Sequence, residues 1–153
     1  MEETGVNMKG WEDALQRKFG FSTESEDTPQ VKSSKGANDP IKFVPKGWGY
    51  EKWIVNCELY CGKILFIASG KKCSWHYHKL KDEVFYIQRG AIELIYSQQD
   101  NPEVANKMVL IEGDKFHVPT GMRHQMYALK DTELFEFSTE HFDEDSIRLQ
   151  KGD

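Results

Sequence analysis

The stretch from Gly70 to Gly90, Gly-Lys-Lys-Cys-Ser-Trp-His-Tyr-His-Lys-Leu-Lys-Asp-Glu-Val-Phe-Tyr-Ile-Gln-Arg-Gly, constrains this chain more than any other. Successive side chains on a strand point to opposite faces, so His76 and His78 share one. Residues 79–82 can then turn the chain back. Glu83 begins an alternating run in which Phe85 and Ile87 fall on its own face, the pattern of a returning strand. Two imidazoles and a carboxylate are therefore expected to meet across a hairpin. That set suits one divalent metal ion (Zn, Mn, Fe, Ni or Co), because imidazole and carboxylate together are ligands of intermediate softness. A fourth ligand is sought in the second half, where the turn Pro119-Thr120-Gly121 leads at once into His124 in a strand-like stretch.

The two stretches together resemble the paired motifs of the cupin family. The first has Gly70, His76, His78, Glu83 and Gly90 at that family's spacing, and the second has Gly113, Pro119, Gly121 and His124. The family's closing asparagine is replaced by Ala128. The resemblance implies an all-β fold, a jelly-roll β-barrel, with His76, His78, Glu83 and His124 as metal ligands. His117 and His141 lie outside the motifs and are expected to be satisfied core groups.

Two flanking stretches narrow the resemblance. Gly47-Trp48-Gly49-Tyr50-Glu51 is similar to the lead-in of cupins of the type II mannose-6-phosphate isomerase kind, and residues 137–149 are similar to their exit. This implies a sugar or sugar-phosphate isomerase that interconverts aldose and ketose through a metal-stabilised enediolate, with a small-molecule sugar as partner. Glu83 is then the catalytic candidate, as a ligand first and with a base role left open. Lys63, inside an otherwise apolar strand, is the substrate-binding candidate for an anionic group, its alternative being an outward lysine on a solvated face. An iron dioxygenase and a non-catalytic binder of small ligands are the competing readings. The apolar run Phe85, Ile87 and Met126 keeps the dioxygenase in play.

Other features mostly exclude. A net charge of −5 over 153 residues argues against a nucleic-acid surface. No apolar run approaches the ~20 residues of a membrane helix, so no membrane partner is expected. The acidic, polar N-terminus is no secretory signal, and Cys57, Cys61 and Cys73 form no paired framework, which together suggest the cytoplasm. Residues 1–40 read as an N-terminal extension, with a short helix carrying Trp11, Leu15 and Phe19 on one stripe and then a polar linker. Residues 41–150 read as the barrel, about ten short strands with frequent turns. Alternation places Arg123 outside it and Tyr86 away from Glu83. Tyr50, Trp53, Val84 and Tyr86 are expected on the outer face, which predicts a homodimer.

Overall fold

The computed structural model describes residues 34–153. The expected helix around Trp11, Leu15 and Phe19 lies outside the described residues. Strand follows strand from Lys42 onward: β1 (Lys42–Lys46), β2 (Gly49–Asn56), β3 (Cys61–Ile67), β4 (Trp75–His78), β5 (Glu83–Arg89), β6 (Ala91–Ser97), β7 (Asn106–Ile111), β8 (Lys115–Val118), β9 (Arg123–Ala128), β10 (Thr132–Ser138) and β11 (Ser146–Gln150). Two antiparallel sheets result. One has the order β1-β2-β3-β10-β5-β8 and the other β11-β4-β9-β6-β7. They form a jelly-roll barrel, as expected. No described helix is long and apolar enough to cross a membrane.

Sequence alternation sets which side of each strand is buried. In β3, Cys61, Lys63, Leu65 and Ile67 are buried while Gly62, Ile64 and Phe66 are half-buried. In β5, Glu83, Phe85 and Ile87 are buried. The core gathers Leu65, Ile67, Phe85, Ile87, Ile92, Leu94, Met126 and Leu134. Burial at roughly 25 cal/mol per Å² of apolar surface is the main force closing the two sheets on each other. Gly90, at φ +96°, links β5 to β6, and a Cβ there would lie 2.4 Å from the Asp131 carbonyl oxygen. Only glycine fits that link.

The expected hairpin of β4 and β5 does not form. β4 pairs with β9 and β11, whereas β5 pairs with β10 and β8, so the chain crosses from one sheet to the other. The cause is Asp145, whose Oδ1 accepts from the backbone amides of Lys79 and Leu80 and whose Oδ2 accepts from that of Lys81. This buried carboxylate folds residues 79–81 into a crossover. The ligand-type residues therefore face one another across the barrel instead of sitting side by side.

Two further expectations are corrected. Trp53 is not on the outer face with Tyr50: its indole donates to Glu51, two residues before it on the same side of β2, and lies 4.5 Å from the Lys63 ammonium. Their separation in β2 is odd, which puts the two rings on opposite faces. Tyr50 instead stacks on Phe66, with the Phe43 ring tilted against it. His117 is exposed and pairs with Asp82, because Phe116 and Val118 are the more buried residues of β8.

Candidate metal centre and cavity

His76 and His124 are direct cross-strand partners in β4 and β9, and His78 follows two residues along β4 on the same face. Their ring centroids lie 4.3 Å apart for His76 and His124 and 5.1 Å apart for His76 and His78. One nitrogen from each of the three lies within 4.8 Å of the other two, a set that can hold a metal ion. Glu83 approaches from the facing sheet. Its Oε1 is 3.1 Å from His124 Nε2 and 3.7 Å from His78 Nε2.

Hydrogen bonds fix how the rings present themselves. His76 Nδ1 lies 2.9 Å from the Ser74 carbonyl oxygen and His124 Nδ1 lies 3.1 Å from that of Met122. A carbonyl can only accept, so both Nδ1 atoms carry a proton and each ring turns Nε2 toward the centre of the group. Burial, followed by the neighbouring His124, holds His76 well below its usual pKa, and burial pulls His78 down to about 4. Rings that stay neutral at pH 7 are the form a metal requires.

Glu83 completes the fit. Burial is the largest single influence and opposes its ionisation, but the Lys81 ammonium, 2.8 Å from Oε2, together with His124 and His78 outweighs it and keeps the carboxylate well below its ordinary range. Oε1 is buried without a hydrogen-bond partner. A carboxylate oxygen and a ring nitrogen 3.1 Å apart need a positive charge between them, which a bound metal ion or a proton supplies. Two ligands at right angles, each ~2.1 Å from one ion, stand roughly 3.0 Å apart. The residues present therefore fit a divalent ion.

The histidines sit on the wall of an open cavity of about 320 Å³. Lys63 lines it and is inward, 2% exposed, so the solvated-face alternative is excluded. Glu51, Lys81 and Glu136, charged residues that the sequence reading did not single out as site residues, line it too. Lys81 bridges Glu83 and Glu136, at 2.8 and 2.6 Å, and these two carboxylates raise its pKa against the cost of burial. Lys63 stands 3.6 Å from Glu51 and 3.7 Å from Glu136. Glu136 carried a legible signal: a charge on the buried phase of β10 beside Thr132 and Leu134. It is also the register partner of Lys63. Lys81 carried none, since nothing separates it from an ordinary turn lysine.

His141 also lines the cavity, half-buried, with Nε2 3.2 Å from Asp143 and its ring edge-on to Trp53. Arg123 points away from the histidines, as expected, stacking on Tyr77 and pairing with Asp100. Tyr86 likewise turns away from Glu83 and lies against Phe135.

A family profile described as a cupin domain matches residues 64–138, which span β3 to β10 and include all four ligand-type residues. The barrel is a cupin domain. Solved structures with this fold include CapF, a capsular polysaccharide assembling protein from Staphylococcus aureus, at 15% identity and TM-score 0.63, covering 72% of this chain and 34% of that one. Oxalate decarboxylase from Bacillus subtilis matches at 17% identity and TM-score 0.65, over 80% of this chain and 34% of its own. KdgF from a Halomonas species matches at 20% identity and TM-score 0.57, over 69% and 92%. This cupin spans about a third of the CapF and oxalate decarboxylase chains. No curated protein matches it.

Proposed function

We propose that this cupin holds one divalent metal ion through His76, His78, Glu83 and His124 and isomerises a small sugar or sugar phosphate, in the manner of the mannose-6-phosphate isomerase kind. The observation that carries the reading is the cavity wall, where Glu51, Lys63, Lys81, Glu83 and Glu136 stand within reach of the histidine group. Such a wall favours a ligand rich in hydroxyls, because buried charges need polar partners. Leu65, Phe85 and Met126 supply an apolar floor beside it.

When bound, the ion would supply Lewis-acid stabilisation of the charge that develops on neighbouring substrate oxygens. The chain's own groups do the rest. Besides the proton that passes between the two neighbouring oxygens, interconversion of aldose and ketose moves one proton between adjacent carbons. Glu83 and Glu136, joined by the Lys81 ammonium, are the carboxylates we assign to take up and return that proton. Lys63, held over Trp53, orients the distal part of the substrate.

Metal analysis of protein purified without chelator should give about one ion per chain, and His124→Ala should lose both metal and turnover. A panel of aldoses, ketoses and their phosphates, assayed with the identified metal restored, tests the reaction. Should no sugar be turned over while a catechol or thiol consumes dioxygen in the presence of iron, the isomerase reading gives way to the dioxygenase.

A further inference from the structure

Six of the ten charged side chains that line the cavity stand in a row of strictly alternating sign. From the histidine group outward they run Glu83, Lys81, Glu136, Lys63, Glu51 and Lys46, with successive charged atoms 2.8, 2.6, 3.7, 3.6 and 3.2 Å apart. The row crosses the strands of one sheet, since β2, β3, β10 and β5 supply Glu51, Lys63, Glu136 and Glu83. Its middle differs from its inner end. Lys81 makes short, direct contacts, whereas the two carboxylates nearest Lys63 lie beyond hydrogen-bond distance. Lys63 is nonetheless buried among them, with Trp53 against its ammonium.

We infer that this row is a recognition wall for a neutral vicinal polyol, and that it discriminates against phosphorylated forms of the same sugar. The inference rests on the isomerase reading above and names its substrate class. A hydroxyl donates and accepts at once, so it fits the gap between an ammonium and a carboxylate by bonding to both. Neighbouring hydroxyls on a carbon chain repeat that pattern along the row. A phosphate offers acceptors only and carries about −1.5 to −2 charges at pH 7. At Lys63 it would meet one ammonium already flanked by two carboxylates less than 4 Å away, and like charges at that range repel strongly in a low-dielectric pocket. Lys63 thus serves hydroxyls through its unused N–H donors, and its carboxylate neighbours turn anions away.

The test is equilibrium binding of D-mannose, D-fructose and mannitol against mannose 6-phosphate and fructose 6-phosphate to the metal-loaded protein, followed by calorimetry. The neutral sugars should bind at least about tenfold tighter than their phosphates. Glu136→Gln, and separately Glu51→Gln, should shrink or reverse that preference by about tenfold, because each leaves Lys63 with one carboxylate fewer. Two variants on different strands guard against a folding defect in either, and circular dichroism checks both. Tighter binding of the phosphates to the wild-type protein, or an unchanged ratio in both folded variants, would overturn the inference while leaving the isomerase reading intact. Failure of every sugar to bind a protein that does hold metal would overturn both.

Discussion

Replacing Asp145 by alanine removes the carboxylate that shapes the β4–β5 crossover, and the cost can be worked out bond by bond. Asp145 is buried and accepts three backbone amides at 2.9, 2.9 and 3.0 Å. Hydrogen bonds to a charged group contribute ~1.5–3 kcal/mol each when nothing replaces them. Lys79 and Leu80 are exposed, so water takes up their amides and their loss is discounted to ~0.5 kcal/mol each. The Lys81 amide bond is buried, and its loss costs ~1–3 kcal/mol. The sum is roughly 2–4 kcal/mol. With a urea slope of ~1.5 kcal/mol/M, the unfolding midpoint of the metal-free protein should fall by roughly 1.5–2.5 M. Asp145→Asn keeps one carbonyl oxygen for Lys79 and Leu80 but loses the buried Lys81 bond, so it should lose ~1–3 kcal/mol, the larger part of the alanine cost. Oδ2 also lies 3.5 Å from His78 Nδ1, so both variants should weaken metal binding, by about 10–100-fold for alanine. Urea titration followed by tryptophan fluorescence measures the first effect and chelator competition the second. An Asp145→Ala midpoint within 0.3 M of wild type would refute the account of the crossover.

The buried thiol and the outer face supply two further predictions. Burial pushes Cys73 up to about 12 from 9.0, so below pH 9 the thiol is protonated whether the chain is folded or not. Above that, only the unfolded chain ionises, and stability falls by ~1.4 kcal/mol per pH unit until the folded thiol also titrates. The stability gap between wild type and Cys73→Ala should therefore narrow by about 1.4 kcal/mol from pH 8 to pH 10, and a constant gap would contradict it. On the outside, Phe43, Ile54, Tyr86 and Phe137 remain exposed on one six-stranded sheet, so we propose the homodimer expected from sequence. Light scattering should give twice the 17.8 kDa chain mass, Phe137→Glu should halve it, and a wild-type monomer at micromolar concentration would reject the proposal.

What the sequence revealed and what it hid follow from how far apart the interacting residues lie. Strand parity is local: it put His76 with His78 on one face, Glu83 with Phe85 and Ile87 on one face, and Arg123 away from the histidines. The alternation also marked Lys63 as unusual, though it could not say which face was buried. Strand pairing is not local. The return of β5 looked like a hairpin because the residue that prevents one, Asp145, stands 64 to 66 positions beyond the amides it binds. Lys81 was hidden for the same reason, its partner Glu136 being 55 residues away. Trp53 was misplaced where parity should have been applied, since it shares its face with Glu51 and not with Tyr50.

The same non-local pairing explains why a candidate metal centre and a charged wall occur together in so small a barrel. Glu83 belongs to both. Its Oε1 is turned toward the histidines of the opposite sheet, while its Oε2 is tied through Lys81 to Glu136. Each attachment limits the other. Without Lys81, burial would favour protonation of Glu83, and a protonated carboxyl is a poor metal ligand. Oε1 stands 3.1 Å from His124 Nε2 and 3.7 Å from His78 Nε2, close enough to share one ion with them. Lys81 in turn sits in the crossover that Asp145 pins through its backbone amide. The proposed metal affinity, the protonation state of Glu83 and the position of the inner end of the wall therefore depend on one mechanical element. A change in residues 79–81 should disturb all three together, whereas a change at Glu51 should reach only the outer part of the wall.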